Sequence, residues 1–152
     1  MNQGYVHSFH TAAAADGPGV RFAIFLSGCP FRCKYCHNPD TWEMKRGTLK
    51  TVDSLLDEIK KYASFLRMAG GLTITGGEPL AQSEFTYEIF SRVKQEFSLH
   101  TALDTQGFLA GTLPDTYFEP IDLILLDIKE MNPERHRTLT GKELQPTLDF
   151  AL

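Results

Sequence analysis

The chain has 152 residues, 42% of them hydrophobic, which suits one domain with a buried core. Its formal net charge is −4 and it carries no basic run, so the electrostatic footprint of a nucleic-acid binder is missing. No apolar stretch approaches the roughly 20 residues of a membrane span. Met1 to His10 is polar, without the basic start and apolar centre of a secretory signal, so a cytoplasmic protein in a thiol-reducing compartment is expected.

In chain order, Asp16-Gly17-Pro18-Gly19 is a turn by composition, and Val20–Leu26 is an apolar run of strand length. All three cysteines follow that run, as Cys29, Cys33 and Cys36. Thr51–Met68 has helical spacing, with Val52, Leu55, Leu56, Ile59, Tyr62, Ala63 and Leu66 on one face and Thr51 as N-cap. Leu72–Thr75 reads as a strand closed by Gly76-Gly77. Phe85–Phe97 reads as a helix turning Phe85, Ile89, Phe90, Val93 and Phe97 inward. Leu99–Leu103 is a strand ending at Asp104-Thr105-Gln106-Gly107, and Ile121–Ile128 is the clearest buried strand. Asn132-Pro133-Glu134 starts another helix, with a cap, a proline at its first position and an acid in its first turn. Gln145 to Leu152 looks like the opening turns of one more, with no closing strand behind it.

Strands alternating with helices predict parallel strands joined by crossover helices. In such folds the carboxyl ends of the strands share one side, where ligands bind. The cysteines, Gly76-Gly77-Glu78, Asp104-Thr105, and Asp127 with Lys129 each follow or end a strand. Four regions should therefore converge on one face.

The cysteines carry the chemistry. Three thiolates can hold three irons of a [4Fe–4S] cube and leave the fourth iron without a protein ligand. A structural zinc site would need a fourth ligand, and His37 beside Cys36 makes a poor tetrahedral pair. Cys33-x-x-Cys36-His37 also fits c-type haem attachment, a pattern with no use for Cys29. Gly76-Gly77 lets backbone approach a ligand closely, or serves as a plain turn. Asp16 to Gly19 reads equally as a tight entry to the first strand, and Arg21 as a surface ion-pair member. Asp104 and Asp127 would repel at neighbouring strand ends unless Lys129 or a bound cation lay between them. His7, His10, His100 and His136 show no ligand spacing and are expected at the surface or in packing.

Cys29-x-x-x-Cys33-x-x-Cys36, with Tyr35 before the last cysteine, resembles the signature of radical S-adenosylmethionine enzymes. Asp16-Gly17-Pro18-Gly19-Val20-Arg21 upstream is similar to activating enzymes of glycyl radical enzymes. The runs Tyr35 to Trp42 and Leu125 to Asn132 resemble the pyruvate formate-lyase branch of that family. The similarity runs from about Val6 to the last residues.

The resemblance implies a parallel-stranded partial (β/α) TIM-like barrel in the α/β class, a single radical S-adenosylmethionine domain over residues 1–152, truncated after about four βα units. It implies an oxidoreductase that activates pyruvate formate-lyase. An electron from flavodoxin or ferredoxin would cleave S-adenosylmethionine at a [4Fe–4S] cluster, and a glycyl radical would form on the partner. Cys29, Cys33 and Cys36 would bind iron, and Tyr35 and His37 would lie against the adenosyl part. Gly76, Gly77 and Glu78 would meet the methionine amino end, with Asp127 and Lys129 near the ribose and carboxylate. Asp104, Thr105, Leu125 and Asp127 would match a monovalent-cation site. Asp16, Gly17, Pro18, Gly19 and Arg21 would shape the entry of the glycyl loop. No protein acid or base is implied, and a monomer is expected. Gln106 stands where the family often has Asn. Alternatives are a partial or inactive cluster-binding fragment, an activase for another glycyl radical enzyme, or a zinc or haem module. An extra ferredoxin-like insert, common in the other activases, has no cysteines to build it between Asn38 and Lys50.

Overall fold

The computed structural model describes residues 2–152; Met1, where the polar N-terminal stretch begins, lies outside them. The strands are β1 Gln3–Ala13, β2 Val20–Leu26, β3 Thr48–Thr51, β4 Gly70–Gly76, β5 Thr101–Thr105 and β6 Leu123–Leu126. They form one six-stranded sheet in the order β3-β1-β2-β4-β5-β6. β2, β4, β5 and β6 pair in parallel, whereas β1 pairs antiparallel with both β2 and β3. Helices α1 Val52–Lys60 and α2 Ala63–Ala69 lead into β4, and α3 Ser83–Phe97 crosses from β4 to β5. Helices α4 Pro133–Thr140 and α5 Gln145–Ala151 follow β6. The α/β class and the four parallel strands match the sequence expectation, as an open sheet with β3 and β6 at its edges.

Side chains alternate across the strands with period two. One face sends Phe22, Ile24, Leu26, Leu72, Ile74 and Leu103 into the core, against Leu55, Leu56 and Ile59 of α1 and Phe85, Ile89, Phe90 and Val93 of α3. Each of these side chains contributes about 1.5–3 kcal/mol through burial. The opposite face is mixed, with Ala23, Phe25 and Ala102 among polar residues. It carries Arg21, Thr73, Thr75 and Asp104, joined by hydrogen bonds between neighbouring strands. The core therefore sits on the helix side, and the far side is left for a site.

Several elements depart from the sequence reading. Strand β1 has no signal in the sequence, because its mixture of polar, small and histidine residues has no clean alternation. Two register irregularities, at Val6/Ser8 and His10/Ala13, blur it further. The helix expected over Thr51–Met68 is two helices. Lys61 and Tyr62 bond back three residues to Glu58 and Ile59, and the chain turns there. The Thr51 cap forms as expected, its Oγ1 accepting from Ser54 N–H at 3.1 Å. Ile121–Ile128 shrinks to β6, which is only partly buried, with Ile124 37% exposed. An edge strand is covered on one flank only, so its apolar run does not report full burial. The link from β5 to β6, for which the sequence offers no helix, holds two 3₁₀ turns, Ala110–Thr112 and Asp115–Phe118.

Arg21 is the sharpest correction. The sequence offered it as a surface ion-pair member or a contact for an entering loop, yet it is fully buried. Its guanidinium donates to Thr73 Oγ1 (3.0 Å), Leu72 O (2.7 Å), Pro18 O (3.3 Å) and His100 O (3.3 Å), and meets His100 Nδ1 at 3.0 Å. Burial pushes it down from its ordinary value, with Asp122 pulling the other way. Thr73 Oγ1 in turn donates to Asp16 O at 2.6 Å, so the 16–19 turn is tied down on the sheet. Arg21→Met keeps the volume but strands the carbonyl acceptors. A loss of about 2–4 kcal/mol in urea unfolding is expected, since bonds to charged groups are worth ~1.5–3 kcal/mol each and are not additive.

Candidate functional site

The carboxyl ends of the parallel strands open into one cavity of about 270 Å³. Cys29, Cys33 and Cys36 line it, with Tyr35, His37, Gly76, Gly77, Asp104, Thr105, Gln106, Asp127, Lys129 and Asp16. Residues from all four strand-end regions singled out in the sequence meet there.

The cysteine loop is held by backbone from three directions. Gly28 and Cys29 N–H donate to Thr41 O (2.7 Å) and Trp42 O (3.2 Å). Arg32 and Lys34 N–H donate to Thr140 O (2.7 Å) and Leu139 O (3.1 Å), in the last turn of α4. Cys36 N–H closes a turn onto Cys33 O at 3.1 Å. Phe31 is buried at the loop's root, edge-on to His136 at 5.6 Å. Arg32 folds back onto the loop carbonyls and lies 5.3 Å over the Trp42 ring.

The end of β4 presses against this loop. Gly77 N–H donates to Leu26 O at 2.9 Å, and Glu78 N–H to Gly28 O at 2.8 Å. A Cβ on Gly76, whose φ is +115°, would lie 2.3 Å from Leu26 N, and one on Gly77 would lie 2.5 Å from Gly28 O. The two glycines are thus required by close backbone approach, Gly76 to the end of β2 and Gly77 to the start of the cysteine loop. They also leave main chain lining the cavity.

Asp104 accepts from Thr75 Oγ1 at 2.8 Å. Burial pushes its carboxyl up and the charge of Asp127 pushes the same way, while Thr75 and Lys129 oppose. The Lys129 ammonium pairs with Asp127 and lies 5.8 Å over the Tyr35 ring. Burial alone would lower Lys129, but Asp127 more than offsets it and the group is raised. Asp104 stands opposite Leu125 in the β5–β6 register, and Thr105 O accepts from Asp127 N–H at 3.0 Å. Asp104, Leu125 and Asp127 also line a shallower groove beside the cavity.

Some sequence-predicted residues lie outside this lining, Glu78 and Arg21 most clearly. The Glu78 side chain is fully buried and is not part of the cavity lining. Its Oε1 accepts from Leu80 N–H (2.9 Å) and Thr105 Oγ1 (2.6 Å), and its Oε2 from Gln106 N–H (2.9 Å). It braces the wall from behind. Arg21 is buried in the sheet, and of the 16–19 turn only Asp16 lines the cavity. Conversely, Phe25, Phe31, Asn38, Thr41, Trp42, Thr75 and Gln106 also line the cavity, though the sequence assigns none of them a site role. Gln106 is legible as a polar residue just past a strand end, and Asn38, Thr41 and Trp42 through the run Tyr35 to Trp42; Phe25, Phe31 and Thr75 carry no such signal.

The donor set fits an iron–sulfur cube. Three soft thiols share one wall, no fourth cysteine exists in the chain, and the remaining walls are glycine backbone and polar side chains. Among the described residues no three His, Cys, Asp or Glu side chains converge tightly enough to hold a single metal ion. Burial pushes the Cys29 and Cys33 thiols up, with Gln106 opposing at Cys29 and Lys129 at Cys33. Loading with iron would therefore release protons.

A family model described as a 4Fe-4S single cluster domain matches residues 15–145. The chain belongs to the 4Fe-4S single cluster domain family. Among curated relatives, the pyruvate formate-lyase-activating enzyme of Listeria monocytogenes serovar 1/2a is 44% identical over 155 residues, covering 97% of the chain and 62% of that protein. The pyruvate formate-lyase 1-activating enzyme of Escherichia coli K12 is 44% identical over 151 residues, covering 97% and 61%. The pyruvate formate-lyase-activating enzyme of Staphylococcus aureus USA300 is 41% identical over 162 residues, covering 99% and 63%. This 4Fe-4S domain chain thus spans somewhat under two thirds of each relative's length. No helix among its described residues is long and apolar enough to cross a membrane.

Proposed function

We propose that the chain is the cluster-binding part of an activating enzyme for pyruvate formate-lyase, built as one radical S-adenosylmethionine domain. The observation that carries this reading is the single cavity where Cys29, Cys33 and Cys36 face Gly76-Gly77 backbone, Asp104, Asp127 and Lys129. When bound, the [4Fe–4S] cluster and S-adenosylmethionine supply reductive cleavage of the sulfonium S–C5′ bond and the hydrogen-atom abstraction that leaves a glycyl radical on the partner.

The chain's own residues bind, orient and exclude water. The three cysteines hold three irons. Tyr35 and His37, both on the cavity wall, flank the adenosyl part. The Gly76-Gly77 main chain meets the methionine amino group, with Glu78 acting from behind. Lys129 and Asp127 present a paired cation and anion to the carboxylate and ribose. The Asp104 carboxylate, the Thr105 and Leu125 carbonyls and the Asp127 carboxylate offer a hard oxygen set for a monovalent cation. The register that sets Asp104 opposite Leu125 supports it. The turn from Asp16 to Gly19, held in place by Arg21, shapes the approach of the glycyl loop. Flavodoxin or ferredoxin would supply the electron, to a monomer in the cytoplasm.

Anaerobic reconstitution with iron and sulfide tests this, read by EPR after reduction. A reduced [4Fe–4S] signal that changes on adding S-adenosylmethionine is the expected result. Stoichiometric zinc in protein made with ample iron, and no cluster, would sink the reading. Formation of 5′-deoxyadenosine with reductant would extend it from cofactor binding to turnover by this chain.

A further inference from the structure

Gln106 follows β5 directly and is 8% exposed. Its main-chain N–H is anchored on Glu78 Oε2 at 2.9 Å. Its side-chain Nε2 lies 3.3 Å from Gly77 O and 3.4 Å from Cys29 Sγ, whereas Oε1 lies 3.9 Å from the same sulfur. The Gly77 carbonyl can only accept, so it fixes which end of the amide is nitrogen. An amide nitrogen carries two hydrogens. With one on Gly77 O, the other is free for the sulfur.

We propose that Gln106 is a positioning residue for the cluster: its side-chain N–H donates to the Cys29 sulfur and raises the cluster's midpoint potential. This rests on the reading of the three cysteines as cluster ligands. Reduction adds one electron and spreads negative charge onto the ligand sulfurs, so a fixed donor stabilises the reduced level more than the oxidised one. Hydrogen bonds to sulfur are among the levers that set such potentials. A donor on a charged sulfur is worth about tenfold in the reduced-to-oxidised ratio, which for one electron is ~59 mV.

The test is an EPR-monitored redox titration of the full chain, reconstituted anaerobically, with dithionite as electron source and dye mediators. Gln106→Leu removes the donor at similar size, and Gln106→Glu replaces it with a carboxylate. Both are expected to load iron and sulfide as the unaltered chain does. Gln106→Leu should have a midpoint lower by roughly 59 mV, and Gln106→Glu lower still. Full loading with unchanged potentials would overturn the proposal. So would failure of both variants to load, which would make Gln106 a structural part of the wall. Failure of the unaltered chain to load under the same conditions would instead strike the cluster reading itself.

Discussion

Cys29→Ala is expected to leave the chain without a cluster after anaerobic reconstitution, with iron and acid-labile sulfide near zero and no reduced EPR signal. The chain has no spare thiol, since its three cysteines are all in this loop. The fold should survive. Cys29 is partly exposed, its sulfur makes only weak contacts to Gln106, and the loop is held by main-chain bonds that alanine keeps. A stability change within about 1 kcal/mol is expected for such a substitution. Circular dichroism and urea unfolding would separate loss of cofactor from loss of fold. The haem alternative uses only Cys33, Cys36 and His37, so a Cys29→Ala chain that kept a coloured cofactor would overturn the cluster assignment. Cys33→Ala and Cys36→Ala should match Cys29→Ala.

Glu78→Gln is expected to weaken the fold by about 1–3 kcal/mol, the cost of leaving a buried donor without an acceptor. All the groups on this carboxylate donate: Leu80 N–H, Thr105 Oγ1 and Gln106 N–H. The Thr105 hydroxyl has a single hydrogen and gives it to Glu78, while its oxygen accepts from Gly107 N–H at 3.0 Å. Burial pushes Glu78 up, and these donors pull it back. A glutamine keeps the shape but must turn its NH₂ toward one of them. At this chain length each kcal/mol corresponds to roughly 2–4 °C in Tm, so a thermal melt reads it directly. Unchanged stability would mean that Glu78 does not brace the wall, and would return it to the direct ligand contact implied by the sequence resemblance. Because Gln106 hangs from the same carboxylate, Glu78→Gln should also disturb the Cys29 surroundings. Glu78 and Gln106 share contacts, so their effects should not add.

The elements that read well in the sequence were those whose signal is local. α3 announces itself through Phe85, Ile89, Phe90 and Val93 at helical spacing, and all four are buried as that spacing requires. The caps at Thr51 and Asn132 formed because a short polar side chain reaches the N–H three residues on, at 3.1 Å and 3.0 Å. β1 was illegible because an antiparallel strand of Ser, His, Thr and Ala draws its stability from pairing with β2 and β3 on both sides. β6 is shorter and more exposed than its apolar run suggests, because such a run does not say whether a strand is central or at an edge. The break at Lys61-Tyr62 was also invisible, since Tyr62, Ala63 and Leu66 keep in step with the helical face.

At the site, the sequence alone determined the donor chemistry: three thiols in one loop, two glycines, two acids and a lysine, each at or just past a strand end. Chain order is enough for that, because the carboxyl ends of parallel strands must lie on one side. Tertiary structure alone decided which side chains turn toward the cavity and which turn away. Gln106 stands 77 residues from Cys29 and meets its sulfur because β2, β4 and β5 are in register. Glu78, two residues past a cavity-lining glycine, points the other way, toward three buried donors. Arg21 is drawn into the sheet by carbonyls of Leu72 and His100. Register and the satisfaction of buried polar groups are properties of strands brought together, and spacing along one chain does not contain them.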